Sequence, residues 1–155
     1  MAKVEIGKPL PAFSGEATGG SKISSKDLKG QRYVLYFYPR DNTPGCTVES
    51  KDFRDLHDKF KRRKVKIIGI SRDTLASHEK FKEKFGFPFE LIADPEEKIC
   101  NLFGVMKDKN MYGKQVRGIE RSTFIVDDKG VLRREWRKVK VDGHAQAVLD
   151  SLKEL

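Results

Sequence analysis

Two stretches of this chain are nearly unbroken runs of β-branched and aromatic residues. Residues 32–38 read Arg-Tyr-Val-Leu-Tyr-Phe-Tyr and are closed by Pro39; residues 65–71 read Val-Lys-Ile-Ile-Gly-Ile-Ser. Runs without polar alternation predict strands covered on both faces. Between them Phe53, Leu56 and Phe60 recur at helical spacing. The whole is a strand–helix–strand unit, which is normally parallel and right-handed. A second helix is expected over 75–85 and a short strand at 89–92. Asp94-Pro95-Glu96-Glu97 has the marks of a helix start, with proline just inside and acids in the first turn. Ile99, Leu102 and Phe103 form the apolar stripe of that helix. Residues 105–120 show no period and read as a loop. Residues 122–127 and 131–138 are two strands joined at Asp127-Asp-Lys-Gly130, a hairpin signal. Ala145, Val148, Leu149 and Leu152 mark a closing amphipathic helix. In the Gly-, Pro-, Ser- and Lys-rich first thirty residues, Gly19-Gly20 is a turn, Pro11-Ala-Phe13 begins a short edge strand, and 25–30 form one helical turn stopped by Gly30. The pattern predicts one α/β domain over residues 1–155: a central mixed sheet with helices on both faces.

Composition adds limits. At 155 residues the chain fits one domain, and 37% hydrophobic residues suffice for a core. No apolar run reaches the roughly 18 residues a membrane helix needs. The N-terminus lacks the apolar stretch of a signal peptide. A cytoplasmic location without membrane association is the expectation. The formal charge of +9 raises nucleic acid as a partner. The basic residues are dispersed, however, among Lys61-Arg62-Arg63-Lys64, the lysines at 80, 82 and 84, and Arg133-Arg134 with Arg137-Lys138. Acids lie between them and no nucleic-acid motif occurs, so a solvated basic surface is expected rather than specific nucleic-acid binding. His57, His78 and His144 fall on three different helices with no ligand spacing, so no metal is expected.

The chemistry concentrates at 38–49, Tyr-Pro-Arg-Asp-Asn-Thr-Pro-Gly-Cys-Thr-Val-Glu. This is where a buried strand ends and a helix begins, and in open α/β sheets ligands gather beyond the carboxyl ends of the strands. Cys46 would lie in the first helical turn, where free N–H groups and the helix dipole favour a thiolate. Thr43 can aim its hydroxyl at the same spot. Pro39 and Pro44 stiffen the segment, and Gly45 lets backbone approach a small ligand. The competing view, a small packed cysteine, is disfavoured by the polar, turn-forming surroundings.

The spacing Pro39-x-x-x-Thr43-x-x-Cys46 resembles the active-site motif of the peroxiredoxins. The wider stretch, together with residues 109–126, Lys-Asn-Met-Tyr-Gly-Lys-Gln-Val-Arg-Gly-Ile-Glu-Arg-Ser-Thr-Phe-Ile-Val, is similar to the bacterioferritin-comigratory-protein (PrxQ) subfamily. The resemblance implies a thioredoxin-like fold with an N-terminal β-hairpin extension. It also implies a thiol peroxidase that reduces hydrogen peroxide or alkyl hydroperoxides without a cofactor, recycled by thioredoxin or another thiol, and a monomer. By the same resemblance Cys46 is the peroxidatic cysteine, Thr43 orients thiolate and peroxide, Pro39 closes the pocket, Arg121 is the active-site arginine, and Glu49 holds an arginine in place. An arginine beside the sulfur would favour the thiolate and donate to peroxide oxygens.

The chain departs from the subfamily at the resolving cysteine. The two positions where the subfamily carries it are occupied by Lys51 and Lys82. Cys100, the only other cysteine, lies beside an apolar stripe and reads as packed, which points to a one-cysteine cycle. Two other functions fit the sequence less well. A dithiol reductase would need a Cys-x-x-Cys pair, which is absent; a nucleic-acid module would need clustered charge.

Overall fold

A computed structural model describes residues 3–154 of the chain. A seven-stranded mixed sheet runs in the order β2-β1-β5-β4-β3-β8-β9. At its centre are β3 (Arg32–Phe37) and β4 (Val65–Ser71), parallel and in register from Arg32 opposite Val65 to Phe37 opposite Ile70. The 19-residue helix α1 (Pro44–Arg62) connects them. Helix α2 (Leu75–Phe85) leads to β5 (Glu90–Ala93), which adds parallel to β4. Antiparallel β8 (Ser122–Val126) and β9 (Leu132–Arg137) extend the other side. The N-terminal hairpin of β1 (Ser14–Ala17) and β2 (Ser21–Ser24) joins through β1 to β5.

The expected runs are strands because both of their faces are covered. Along β3 the side chains alternate between two buried layers. Tyr33, Leu35 and Phe37 enter one, with Phe103 and Cys100 of α3 (Lys98–Phe103); Val34, Tyr36 and Tyr38 enter the other, with Phe53 and Phe60 of α1, Phe81 of α2, and Val148 of α4 (His144–Ser151). Each fully buried aromatic ring contributes about 2–3 kcal/mol by its removal from water. Gly69 of β4 is required here: a Cβ would come within 2.8 Å of the Tyr36 ring.

Four expectations need correction. Residues 105–120 are not a loop: β6 (Met106–Met111) and β7 (Lys114–Ile119) form a separate antiparallel hairpin. Most of it is exposed, so no apolar alternation announces it; its turn is carried by Tyr112 and Gly113, both at positive φ. The third helix starts at Lys98 rather than at Pro95. Asp94 reaches past the intervening turn and accepts from the N–H groups of Ile99 (3.2 Å) and Cys100 (2.8 Å), capping the helix from four residues before its first turn. Residues 25–30 form turns with three-residue hydrogen bonds instead of a helical turn, ending in Gly30 at φ 86°. The strand after Phe13 is not the edge; β2 is, with β1 between it and β5.

Candidate active site

The segment 38–46 leaves the C-terminal end of β3 and enters α1. Thr43 is the N-cap residue with extended backbone, and Pro44 takes the first helical position. The first hydrogen bond of the ladder runs from the Thr47 N–H to the Thr43 carbonyl at 2.8 Å, which leaves the N–H groups of Gly45 and Cys46 ahead of it. Cys46, Glu49, Ser50, Phe53 and Phe60 share the buried stripe of α1. That helical periodicity turns Cys46 inward, to 1% exposure, and stacks Glu49 one turn beyond it.

Arg121 arrives from the far end of the chain. The β3–β8 register sets Ser122 opposite Phe37, so the residue before it falls beside the end of β3. Its Nη2 donates to Cys46 Sγ at 3.4 Å and its Nη1 to Glu49 Oε1 at 2.7 Å. Its carbonyl accepts from the Val139 N–H at 3.0 Å. Gly45 makes room for the guanidinium, since a Cβ there would stand 3.1 Å from Nη2. Burial pushes the Glu49 carboxyl up while Arg121 pulls it down, and the net is ionisation at about 7. Glu49 Oε2 is buried without a hydrogen-bond partner among the described residues. A second buried base, His144, stands behind this group. Its Nε2 is 2.7 Å from the Thr123 hydroxyl, and burial together with the nearby Arg121 holds it down to about 4.

The sequence-predicted residues thus divide. Cys46, Arg121 and Glu49 are brought into direct contact. Pro39 is half-buried at the end of β3. The Thr43 hydroxyl donates to the Arg40 carbonyl at 3.0 Å rather than to the sulfur, which leaves its lone pairs free to accept. Cys100 is fully buried in the layer on the opposite face of the sheet from Cys46, and burial and Asp94 push its thiol well above the ordinary range. Of the two lysines at the resolving positions, Lys82 pairs with Glu90, and Lys51 lies 5.9 Å from the Phe85 ring centre.

Sequence reading missed a polar network under the segment. Tyr38, Asp41, Ser77 and His78 are linked by hydrogen bonds, and Asp73 accepts from the Asp41 N–H. Asp41 and His78 lie 37 residues apart, and only their placement on facing elements joins them. Asp41, Asp73 and His78 also offer ligand-type atoms within 4.8 Å of one another.

A guanidinium on the sulfur of a buried cysteine at a helix start, on a thioredoxin-like sheet, fits the chemistry of a thiol peroxidase. Residues 6–135 match the AhpC/TSA family, and the chain belongs to it, within the bacterioferritin-comigratory-protein (PrxQ) peroxiredoxins. It is 47% identical over 152 residues to peroxiredoxin Bcp of Bacillus subtilis, covering 98% of this chain and 97% of that one. It is 51% identical over 136 residues to peroxiredoxin Bcp of Xanthomonas campestris, with 88% and 85% covered. Among solved structures, the bacterioferritin comigratory protein of X. campestris, described for its alkyl peroxide reduction activity, superposes with a TM-score of 0.87 at 48% identity over 92% of this chain and 90% of that one. PrxQ of Xylella fastidiosa gives a TM-score of 0.93 at 39% identity, over 99% and 98%.

Proposed function

We propose that Cys46 is the peroxidatic thiolate and that the reaction proceeds through its sulfenic acid. The observation that carries this reading is the single guanidinium of Arg121 spanning Cys46 Sγ at 3.4 Å and Glu49 at 2.7 Å. The thiolate attacks the terminal oxygen of the hydroperoxide. An S–O bond forms, the O–O bond breaks, and its electron pair leaves on the alkoxide or hydroxide, which takes a proton to become an alcohol or water. Charge builds on that leaving oxygen. Arg121 and the N–H groups at the start of α1 are fixed donors for it, and Thr43 supplies an acceptor for the peroxide proton. Pro39 covers the site, and Glu49 holds Arg121. Cys46 is 1% exposed, so the hydroperoxide reaches it by movement of the 39–45 segment.

Reduction of the sulfenic acid falls to an external thiol. That thiol condenses with Cys46–SOH to a mixed disulfide and releases water; a second thiol then displaces Cys46. A dithiol protein such as thioredoxin supplies both, in the cytoplasm, to a monomer of one domain spanning residues 1–155. An internal disulfide is disfavoured because Cys46 and Cys100 occupy opposite layers of the sheet.

The test is intact mass after one equivalent of hydrogen peroxide on reduced protein, with Cys46→Ser and Cys100→Ser alongside. A gain of one oxygen, absent in Cys46→Ser and kept in Cys100→Ser, is expected. Loss of two hydrogens would replace the one-cysteine cycle with an internal disulfide.

A further inference from the structure

Both ring nitrogens of His78 face acceptors. Nδ1 lies 2.7 Å from Asp41 Oδ2, and Nε2 lies 2.9 Å from the Ile92 carbonyl oxygen. A neutral imidazole carries one N–H and would set a lone pair against one of these oxygens unless the Asp41 carboxyl itself carried a proton. The ring is fully buried, so water cannot relieve that conflict. Asp41 also accepts from the Tyr38 hydroxyl at 2.6 Å and from the Ser77 hydroxyl at 2.8 Å. Three donors converging on one carboxyl is the pattern of an ionised group. The remaining titratable neighbours are Asp73, within 4.8 Å of both partners, and the Tyr38 hydroxyl, 3.4 Å from Nδ1. Lys80 and Lys84 line the cavity beside Asp41.

This network joins the segment before α1 to α2 and β5. Asp41 sits five residues before Cys46. His78 and Ser77 belong to α2, and the Ile92 carbonyl anchors the ring to β5. Two further bonds run the same way: the Asp41 N–H to Asp73 at 2.8 Å, and Lys84 Nζ to Asn42 Oδ1 at 3.2 Å, with Asn42 held at φ 60°. The segment that carries Pro39 and Thr43 is therefore fastened to α2 and its preceding turn.

We propose that His78 is an imidazolium in a buried ion pair with Asp41, and that this pair is a positioning device for the Cys46 reaction. The inference rests on Cys46 being the peroxidatic thiol. His78 touches neither sulfur nor substrate; it acts through Asp41, fixing the approach of the peroxide relative to the sulfur. The trio of Asp41, Asp73 and His78 is not read as a cation site, because Nδ1 and Oδ2 are already engaged with each other. Loss of either partner leaves a buried charge uncompensated, so the 39–45 segment shifts when one is removed.

Two measurements test the proposal. Ring ¹H–¹⁵N correlations of the wild-type protein at pH 7 should show one histidine protonated at both nitrogens, and that signal should be missing in His78→Gln. A neutral tautomer for His78 would overturn the ion pair. Stopped-flow oxidation by peroxide and alkylation by iodoacetamide should then be compared in wild type, His78→Gln and Asp41→Asn. Peroxide needs an aligned pocket, whereas alkylation needs only a reachable thiolate. Oxidation should slow between about tenfold and a hundredfold while alkylation changes less than about threefold. An unchanged oxidation rate, or an equal fall in both rates, would mean that the pair positions nothing. A wild-type protein not oxidised at Cys46 would overturn the peroxidatic assignment as well.

Discussion

The two cysteines are equally hidden, at 1% and 0% exposure, yet their surroundings have opposite sign. Cys46 has a guanidinium at 3.4 Å. Cys100 has its own N–H bonded to the Asp94 carboxylate, with Glu97 adding further negative charge nearby. Depth alone would make both inert. On the proposed assignment, the charge that faces each sulfur is what separates a nucleophile at Cys46 from a packing residue at Cys100.

The contrast between the two cysteines depends most on Arg121. Arg121→Met should slow oxidation of Cys46 by about 10²–10³-fold, the usual effect of deleting one fixed donor at a developing anion. Stopped-flow fluorescence with hydrogen peroxide measures it; a loss below threefold would show that the charge is not the cause. Burial, and after it the same cation, hold His144 near 4 against an ordinary 6.5. The unfolded chain therefore binds a proton between pH 6.5 and 4 that the folded one refuses. Stability contributed by the neutral ring is complete above pH 6.5 and is lost as pH falls through 4, by about 2 kcal/mol after allowance for partial solvent screening. Urea midpoints from pH 7 to 4 should show that decline, and His144→Gln should flatten it.

Glu49 bears on the same cation from its other end. It ionises at about 7, so the carboxylate holds Arg121 above that pH and releases it as pH falls through it. Glu49→Gln should cost about tenfold in oxidation rate at pH 8 and erase an inflection near neutrality from the pH–rate profile. A wild-type inflection that survives the substitution would belong to another group. The smallest effect is expected at Cys100. Asp94→Ala removes the facing acid and a helix cap, so it should cost about 1 kcal/mol of stability and speed alkylation of Cys100 in mild urea. An unchanged alkylation rate would leave burial alone as the reason for its inertness.

What could be read in the sequence followed from local physics. The runs at 32–38 and 65–71 and the helix at 75–85 are legible because buried strands and amphipathic helices write their own periods. The hairpin of β6 and β7 was not, because both of its faces are mostly wet and nothing selects alternation. The start of α3 was misplaced because Asp94 caps it from a distance, which the spacing of Pro95 and Glu96 does not reveal. Cys46 and Thr43 were legible as a turn-rich segment at a strand's end. Arg121 was found through a resemblance, since its partnership with Cys46 crosses 75 residues. The pairing of Asp41 with His78 had no sequence signal, and neither did the placement of the two cysteines on opposite faces of the sheet.

That 75-residue span has a temporal meaning. The strand–helix–strand unit from 32 to 71 contains Cys46 and leaves the ribosome early, while Arg121 follows only with β8. Chains are made at about 5–20 residues per second, so several seconds separate the synthesis of Cys46 from that of Arg121. During that interval the thiol is without its electrostatic partner. On the role proposed for Cys46, its activation by Arg121 is thus withheld from nascent chains until β8 has been made and the sheet can close.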